Sequence, residues 1–197
     1  MDRFKTSSYL SQFQFHFGEF QLEKKHYASA ALCLVESVVT FATECCDLVP
    51  DDKDTPNDVK NKRYMAKGVI KSIINDGEYK KAYNKWQNFF VQHISQLQDK
   101  SAHRDFNKEL KEDINVAGNS YKAEASKMLQ DFQKKFDLLN EVRKDSAHLN
   151  QFTKRTANSN KQLPKREGKE LGLNDRKAII EDSFKWFATY ITLGYRK

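Results

Sequence analysis

Two side chains in the segment LLNEVRKDSAHLNQF, residues 138–152, have the chemistry to cleave a phosphodiester without a metal ion. His148 can accept or donate a proton at physiological pH, as deprotonation of a ribose 2′-hydroxyl or protonation of a leaving oxygen requires. Arg143 stays positively charged and can bind two phosphate oxygens at once while negative charge builds up on them. Together they are candidate catalytic residues for RNA cleavage.

The spacing of this pair does not establish a site by itself. Random placement of the arginines and histidines in this chain gives one Arg-x4-His pair about one time in five. On an ideal α-helix five residues turn through ~500°, which leaves the two side chains ~140° apart around the axis. To meet at one phosphate they need a helix that is distorted or ends there, as Asp145 and Ser146 favour, or residues from a second copy. The alternative is two polar residues on the outside of a helix.

The sequence contains no other catalytic motif. It has no glycine-rich phosphate loop, no GxSxG elbow and no HExxH. The five histidines are scattered, and none stands at ligand spacing from a carboxylate or a cysteine. We interpret His16 and His26 as packed or surface residues of aromatic helices, and His103 as a solvated residue. We therefore expect no metal ion and no cofactor.

The composition indicates an all-α protein. A chain of 197 residues suits a single domain, residues 1–197, and 7 Gly and 3 Pro leave few helix breakers. No convincing period-2 segments bounded by turn signals are present. We predict an antiparallel bundle of five to six helices. The net charge of +7 favours polyanionic partners such as RNA.

Apolar residues recur at helical spacing along most of the chain. The pattern predicts helices over 9–20, 27–48, 64–74, 79–97, 121–142 and 180–191, with a further short helix around 106–114 that ends near Gly118. Exposed loops are predicted near 50–62 and near 153–175. The second loop is rich in Lys and Arg immediately after the Arg–His pair, so it is either a solvated loop or a guide for an RNA backbone.

Six further side chains near the pair are candidate RNA-binding residues because they are basic or polar. They are Lys144, Asn150, Lys154, Arg155, Lys165 and Arg166. The aromatic stripes, Trp86 and Trp186 included, are interpreted as core or dimer interface rather than as platforms for stacked bases.

The cysteines and the apolar stretches indicate a cytoplasmic protein. Cys33, Cys45 and Cys46 are odd in number and lack metal-ligand spacing, so we interpret them as free thiols in a reducing compartment. No targeting segment is recognised. The most apolar stretch, residues 27–49, is interrupted by Glu36 and other polar residues, so we expect no membrane span.

The order of these elements resembles the HEPN superfamily, whose signature is an Arg followed after four to six residues by a His near the end of a long helix. VRKDSAH, residues 142–148, fits the four-residue version. The segments YKAEASKMLQDFQKKFDLLNEVRKDSAHLNQF, DRKAIIEDSFKWFATYI and EKKHYASAALCLVESVVTFATE look most like the C-terminal HEPN domain of type III CRISPR-associated ribonuclease effectors. The likeness covers most of the chain in element order, but only the Arg–His motif is residue-specific.

The resemblance implies a metal-independent endoribonuclease of prokaryotic antiviral defence or of a toxin–antitoxin pair. Such enzymes cleave single-stranded RNA and leave a 2′,3′-cyclic phosphate or a 3′-phosphate. Two copies form a homodimer in which both Arg–His motifs build one composite site. On this basis Arg143 binds the scissile phosphate and orients the nucleophile, while His148 handles the proton or stabilises the transition state.

The sequence departs from the family pattern in two respects, which leave alternatives open. The residue after the Arg is often Asn, Asp or His, whereas here it is Lys144, so the site could bind RNA but cleave it poorly. The sensor domain of those effectors has no counterpart here, which suggests a stand-alone protein, a separated effector domain or a subunit controlled by a regulatory or sensor partner. The alternatives are a catalytically silent RNA- or nucleotide-binding protein that modulates a nuclease, and a helical interaction subunit.

Overall fold

A computed structural model describes residues 9–73, 77–97, 114–155 and 172–193, with their side chains except at 94–97, 114–122, 145–155 and 173. This part of the chain contains six helices and no strand, which confirms the predicted all-α helical bundle. The helices are α1 (Leu10–Glu23), α2 (Tyr27–Cys45), α3 (Pro56–Ile70), α4 (Gly77–Leu97), α5 (Ile114–Arg155) and α6 (Leu173–Leu193).

Residue contacts group the chain into two compact units, each assembled from two separate stretches. The first unit comprises Met1–Val38 and Lys135–Phe187, and the second comprises Val39–Lys134 and Ala188–Lys197. The boundaries fall inside α2, α5 and α6, so these three helices contribute residues to both units. No linker composition marks such boundaries, because helical periodicity continues through each of them.

The prediction of an exposed loop near 50–62 is wrong for the second half of that segment, because α3 already begins at Pro56. Thr55 and Asp58 form a capping box: the Thr55 hydroxyl accepts from the Asp58 amide at 3.3 Å, and the Asp58 carboxylate accepts from the Thr55 amide at 2.9 Å. Lys62, two turns into the helix, pairs with Asp54 at 2.6 Å. These bonds lower the pKa values of Asp58 and Asp54. Charged residues that suggested a loop thus form the start of a well-capped helix.

The prediction that a short helix ends near Gly118 is also wrong, since α5 runs without interruption through Gly118 to Arg155. Residues 106–113 of that prediction lie outside the described part. One glycine costs a helix only about 1 kcal/mol. The buried stripe of α5, which includes Ala125, Leu129 and Phe132, supplies packing that exceeds this cost. The loop predicted near 153–175 is likewise helical at both ends, up to Arg155 and from Leu173.

The core of the second unit is an aromatic cluster centred on Trp86 of α4, which is completely buried. The centroid of its indole lies 6.0 Å from the ring centroid of Phe41, 5.1 Å from that of Phe90 and 5.2 Å from that of Phe132. All three pairs are edge-to-face. The ring of Tyr190 also packs edge-to-face against that of Phe132, with the two centroids 5.0 Å apart. Edge-to-face pairs add about 0.5–1.5 kcal/mol each beyond the burial of their area. The cluster fixes which faces of α2, α4, α5 and α6 are buried in this unit.

The first unit packs α1 against α2 and α6 through one narrow face. The ring centroid of Phe15 lies 5.6 Å from that of Phe184 and 5.9 Å from that of Phe187. The Ser37 hydroxyl donates a buried hydrogen bond of 2.7 Å to the carbonyl of Ser11. Gly18 completes this face, and a Cβ at its position would lie 2.8 Å from a ring carbon of Phe184. The glycine therefore permits a close approach that a side chain would block.

Helix α2 is long and apolar enough, by length and composition alone, to span a bilayer, and it is the one described helix of which this holds. The expectation that this stretch does not span a membrane stays a prediction. Its burial favours the role of a core helix, because more than half of its apolar stretch is buried and residues such as Ala30 and Val38 are completely inaccessible. A cytoplasmic location stays a prediction.

The three cysteines are free thiols. Cys46 is only 2% exposed, and burial raises its pKa to about 12 from the ordinary 9.0. Burial also raises the pKa values of Cys45 and Cys33. Since the thiolate is the reactive form, all three thiols are weak nucleophiles in the folded protein. Because the unfolded thiol ionises at lower pH than the folded one, these cysteines make unfolding easier as the pH rises above 9.0.

Gly18→Ala is expected to lower the free energy of unfolding by about 1–3 kcal/mol, although alanine is the better helix former, because the methyl group would overlap buried Phe184. Urea denaturation measures the change. Gly77→Ala is the matched control, since a Cβ there would meet no atom within 4 Å from the rest of the described chain, and it should be neutral or stabilising. Equal effects of the two variants would contradict the close packing of α1.

Native Cys46 is expected to react with iodoacetamide far more slowly than in urea, because at pH 8 a pKa of about 12 rather than 9.0 lowers the thiolate fraction on the order of 1000-fold. Peptide mass spectrometry after timed alkylation measures the rate at each cysteine. The unfolded chain serves as the control. Rapid native labelling of Cys46 would show that the packing around it opens readily.

Candidate functional site

Arg143 lies on α5 in the first unit, directly after the completely buried residues Leu139 and Val142. Its side chain is half-buried, whereas that of Lys144 is exposed. The Nε atom of Arg143 is buried and has no hydrogen-bond partner among the described residues. A buried donor without a partner costs about 1–3 kcal/mol. Arg143 therefore holds a charged group with unused hydrogen-bonding capacity at the edge of a packed stripe.

The helix carries the Arg–His pair without a break. The disturbance expected around Asp145 and Ser146 is not present, because α5 is continuous from Ile114 to Arg155. Positions 143 and 148 are consequently separated by ~140° around the helix axis. The His148 side chain itself lies outside the described residues. On one straight helix the two positions face different directions, so a site that uses both residues needs a second contributor.

Helical register divides the candidate residues on α5 into two groups of positions. Eleven residues complete almost three full turns, so positions that far apart differ by only ~20° in direction. Arg143 shares one face with positions 150 and 154, and Lys144 shares another with positions 148 and 155. The side chains of Asn150, Lys154 and Arg155 are not described, and Lys165 and Arg166 lie outside the described residues. The candidate residues that belong to α5 thus occupy positions on two faces of this helix.

A shallow groove in the first unit lies two turns before Arg143. It has a volume of about 140 Å³ and is lined by Lys135, Leu138, Ile179, Asp182, Ser183 and Trp186. The Lys135 ammonium sits 5.7 Å from the centre of the Trp186 ring. The Ser183 hydroxyl already donates a hydrogen bond of 2.6 Å to the carbonyl of Ile179. The sequence pattern predicts that Trp186 belongs to the core or to a dimer interface, and in the structure this residue is half-exposed.

Metal ligands are not assembled in the described part of the chain. No group of three or more His, Cys, Asp or Glu side chains there could hold a metal ion. His16 pairs with Glu19 at 2.9 Å, and His93 bonds to the Phe89 carbonyl at 2.8 Å. Both histidines thus make contacts within their own helices, as the interpretation of His16 as a structural residue expects.

Comparisons with protein-family models, with curated proteins and with solved structures found no match. The resemblance to the HEPN superfamily therefore stays a prediction.

Arg143→Met is expected to preserve or raise the free energy of unfolding, by about 1 kcal/mol, because it removes a buried donor that no described group satisfies while keeping an unbranched apolar stem. Urea denaturation without RNA measures the effect. Lys144→Met, at the exposed neighbouring position, is the control and should change stability little. A clear loss of stability in Arg143→Met alone would indicate that the guanidinium serves the fold.

Proposed function

We propose that this protein is a metal-independent endoribonuclease that cleaves single-stranded RNA through Arg143 and His148, in prokaryotic antiviral defence. The observation that carries the proposal is the half-buried Arg143, whose buried Nε atom has no hydrogen-bond partner among the described residues. An arginine in such a place binds a phosphate well, because a phosphate oxygen supplies the missing acceptor and its charge is complementary. The net charge of +7 favours the approach of a polyanion.

The continuity of α5 supports a site built from two copies. One helix holds Arg143 and His148 ~140° apart, so one protomer does not aim both at the same phosphate. In a homodimer the two motifs can face each other across a two-fold axis, and each copy then supplies groups that the other lacks. A composite site of this kind needs no break in α5.

The proposed reaction is transesterification within the RNA strand. The ribose 2′-oxygen attacks the phosphorus, and the bond from the phosphorus to the 5′-oxygen breaks. The products are a 2′,3′-cyclic phosphate and a 5′-hydroxyl, after loss of the 2′-hydroxyl proton and protonation of the leaving oxygen. His148 takes part in one of these proton transfers or stabilises the transition state. Arg143 binds the non-bridging oxygens and orients the phosphate as its charge increases.

Labelled single-stranded RNA should be cleaved by the wild-type protein in EDTA, and Arg143→Ala and His148→Ala should each lower the rate at least about 100-fold. Gel analysis of the fragments, with chemical identification of the 3′ ends, measures rate and product. Lys134→Ala is the matched control: Lys134 is an exposed cation on the same helix, paired with Asp131 at 3.8 Å, and its removal should leave the rate unchanged. Cleavage that survives both site substitutions would exclude the proposed pair.

A catalytically silent RNA- or nucleotide-binding protein that modulates a nuclease is the second candidate. Exposed Lys144 next to Arg143 favours it, because two adjacent cations can bind phosphates without any proton transfer. The same assay separates the two functions. RNA binding that depends on Arg143 but not on His148, without cleavage, would support the binding protein over the enzyme.

A further inference from the structure

Helix α3 carries three lysines and one tyrosine in a row along one side, which we call the α3 stripe. Its members are Lys60, Tyr64, Lys67 and Lys71, the residue that directly follows the helix. They are separated by four, three and four residues, so they lie within ~60° of one another around the helix axis. Lys60 and Tyr64 are exposed, and the other two are half-exposed.

Positive charge is concentrated in the part of the chain that contains the stripe. Residues 60–85 include eight Lys and Arg and two acidic residues, a net charge of +6, whereas the whole chain has +7. Lys62 pairs with Asp54 and Lys85 pairs with Asp47. When these two lysines are set aside, six cations and two acids still give the segment a net charge of +4. Surface ion pairs are weak in water, so a phosphate can compete with a carboxylate for the remaining cations. The segment therefore attracts polyanions.

The one acidic residue of α3 does not belong to the stripe. Asp58 lies ~120° from Tyr64 around the helix axis. Its carboxylate is engaged at the start of the helix, where it accepts hydrogen bonds from the amide and the hydroxyl of Thr55 at 2.9 and 2.7 Å. The charge along the stripe is consequently not balanced by an acid of the same helix.

Tyr64 adds an aromatic surface between these cations. The residue is 55% exposed, and the Lys60 ammonium lies 5.7 Å from the centre of its ring. Proteins that bind single-stranded nucleic acids combine positive charge along the backbone with aromatic rings on which bases stack. A base that stacks on Tyr64 would bring the adjoining phosphates close to the lysines on either side of it.

Helix α4 packs against α3 beside the stripe and contributes further cations. A Cβ at Gly68, one turn after Tyr64, would lie 2.7 Å from a ring carbon of Tyr79, so the two helices approach closely there. Lys80 and Lys81 follow Tyr79 and are exposed. The α3 stripe and the start of α4 thus form one positively charged region of the second unit.

Single-stranded RNA fits this surface better than an anionic membrane does. A helix that lies in a membrane interface inserts an apolar face among the lipid chains. The apolar face of α3 is instead buried within the protein, where Ala66 and Val69 are completely inaccessible. A nucleic-acid base requires only a ring on which to stack, and Tyr64 provides one.

We infer that the α3 stripe binds single-stranded RNA, with a base on Tyr64 and backbone phosphates on the lysines. The stripe consists of residues of the second unit, whereas Arg143 belongs to the first, and it binds nucleotides other than those that are cleaved. The choice of RNA rests on the proposed function. The charge and the ring by themselves specify a single-stranded nucleic acid.

The first experiment measures the binding of fluorescent 2′-O-methyl RNA by anisotropy, because blocking the 2′-oxygen prevents cleavage. Lys60→Gln/Lys67→Gln should bind at least about 10-fold more weakly at low salt, and the slope of log Kd against log salt should fall by ~1.4, as for two lost phosphate contacts. The matched control is Lys127→Gln/Lys134→Gln, which removes two exposed lysines of the same unit, also seven residues apart but on α5. It should leave Kd and slope nearly unchanged. Equal weakening by both double variants, or none by the first, would overturn the inference.

The second experiment tests the aromatic ring. Tyr64→Ala should weaken binding of the same RNA at least about 5-fold without changing the salt dependence, because stacking is lost and charge is not. Tyr64→Phe keeps the ring and should bind like the wild type. Circular dichroism checks that each variant is folded. Unchanged binding in Tyr64→Ala would contradict the stacking of a base at this position.

Cleavage of unmodified RNA, measured in parallel, separates this inference from the proposed function. RNA binding that depends on the stripe, in a protein that cleaves no RNA, would refute the proposed function alone. Cleavage that requires Arg143 and His148, with RNA binding that is independent of the stripe, would refute this inference alone. Binding to phosphatidylserine vesicles that is lost in Lys60→Gln/Lys67→Gln, while RNA binding is retained, would identify a membrane surface instead. Stronger binding of DNA with the same sequence would contradict the choice of RNA.

Discussion

The burial of Trp86 is the constraint on which much of this structure depends. Its indole is enclosed by rings from α2, α4 and α5, so none of these helices can rotate about its own axis without opening the cluster. In α5 the contact residue is Phe132. Because a helix is regular, Arg143, eleven residues later, lies within ~20° of the direction of Phe132. Arg143 thus continues along α5 the direction of its buried stripe, and its side chain is half-buried.

This relation explains how a charged group comes to lie beside an apolar core. Arg143 continues the direction of the buried stripe, and its long stem can pack there while the guanidinium stays near the edge. Lys144, one residue later, is turned by ~100° and is exposed. A buried guanidinium nitrogen without a described partner is a cost to folding. Such costs are found where a protein keeps a group ready for a ligand, and the proposed phosphate site gives this one a purpose.

Helix α1 differs from α5 in that some of its apolar side chains stay exposed after it has packed. Phe15 and Gly18 give the helix a close fit to α2 and α6, and the fit commits one narrow face to the unit. The rings on the other side consequently remain exposed.

The sequence by itself determined the all-α class, the existence of all six described helices, although not all of their ends, and the chemical suitability of Arg143 and His148. Helical periodicity depends on neighbours within one segment, so it can be read from the residues alone. It missed the start of α3 at Pro56, where charged residues concealed a capping box, and the continuity of α5 through Gly118 and past the Arg–His pair. Only the tertiary structure decided which residues of α1 are buried, that Trp186 is half-exposed, and that Arg143 has a buried nitrogen. Burial depends on residues far apart in the chain that pack together, and no local spacing contains that information.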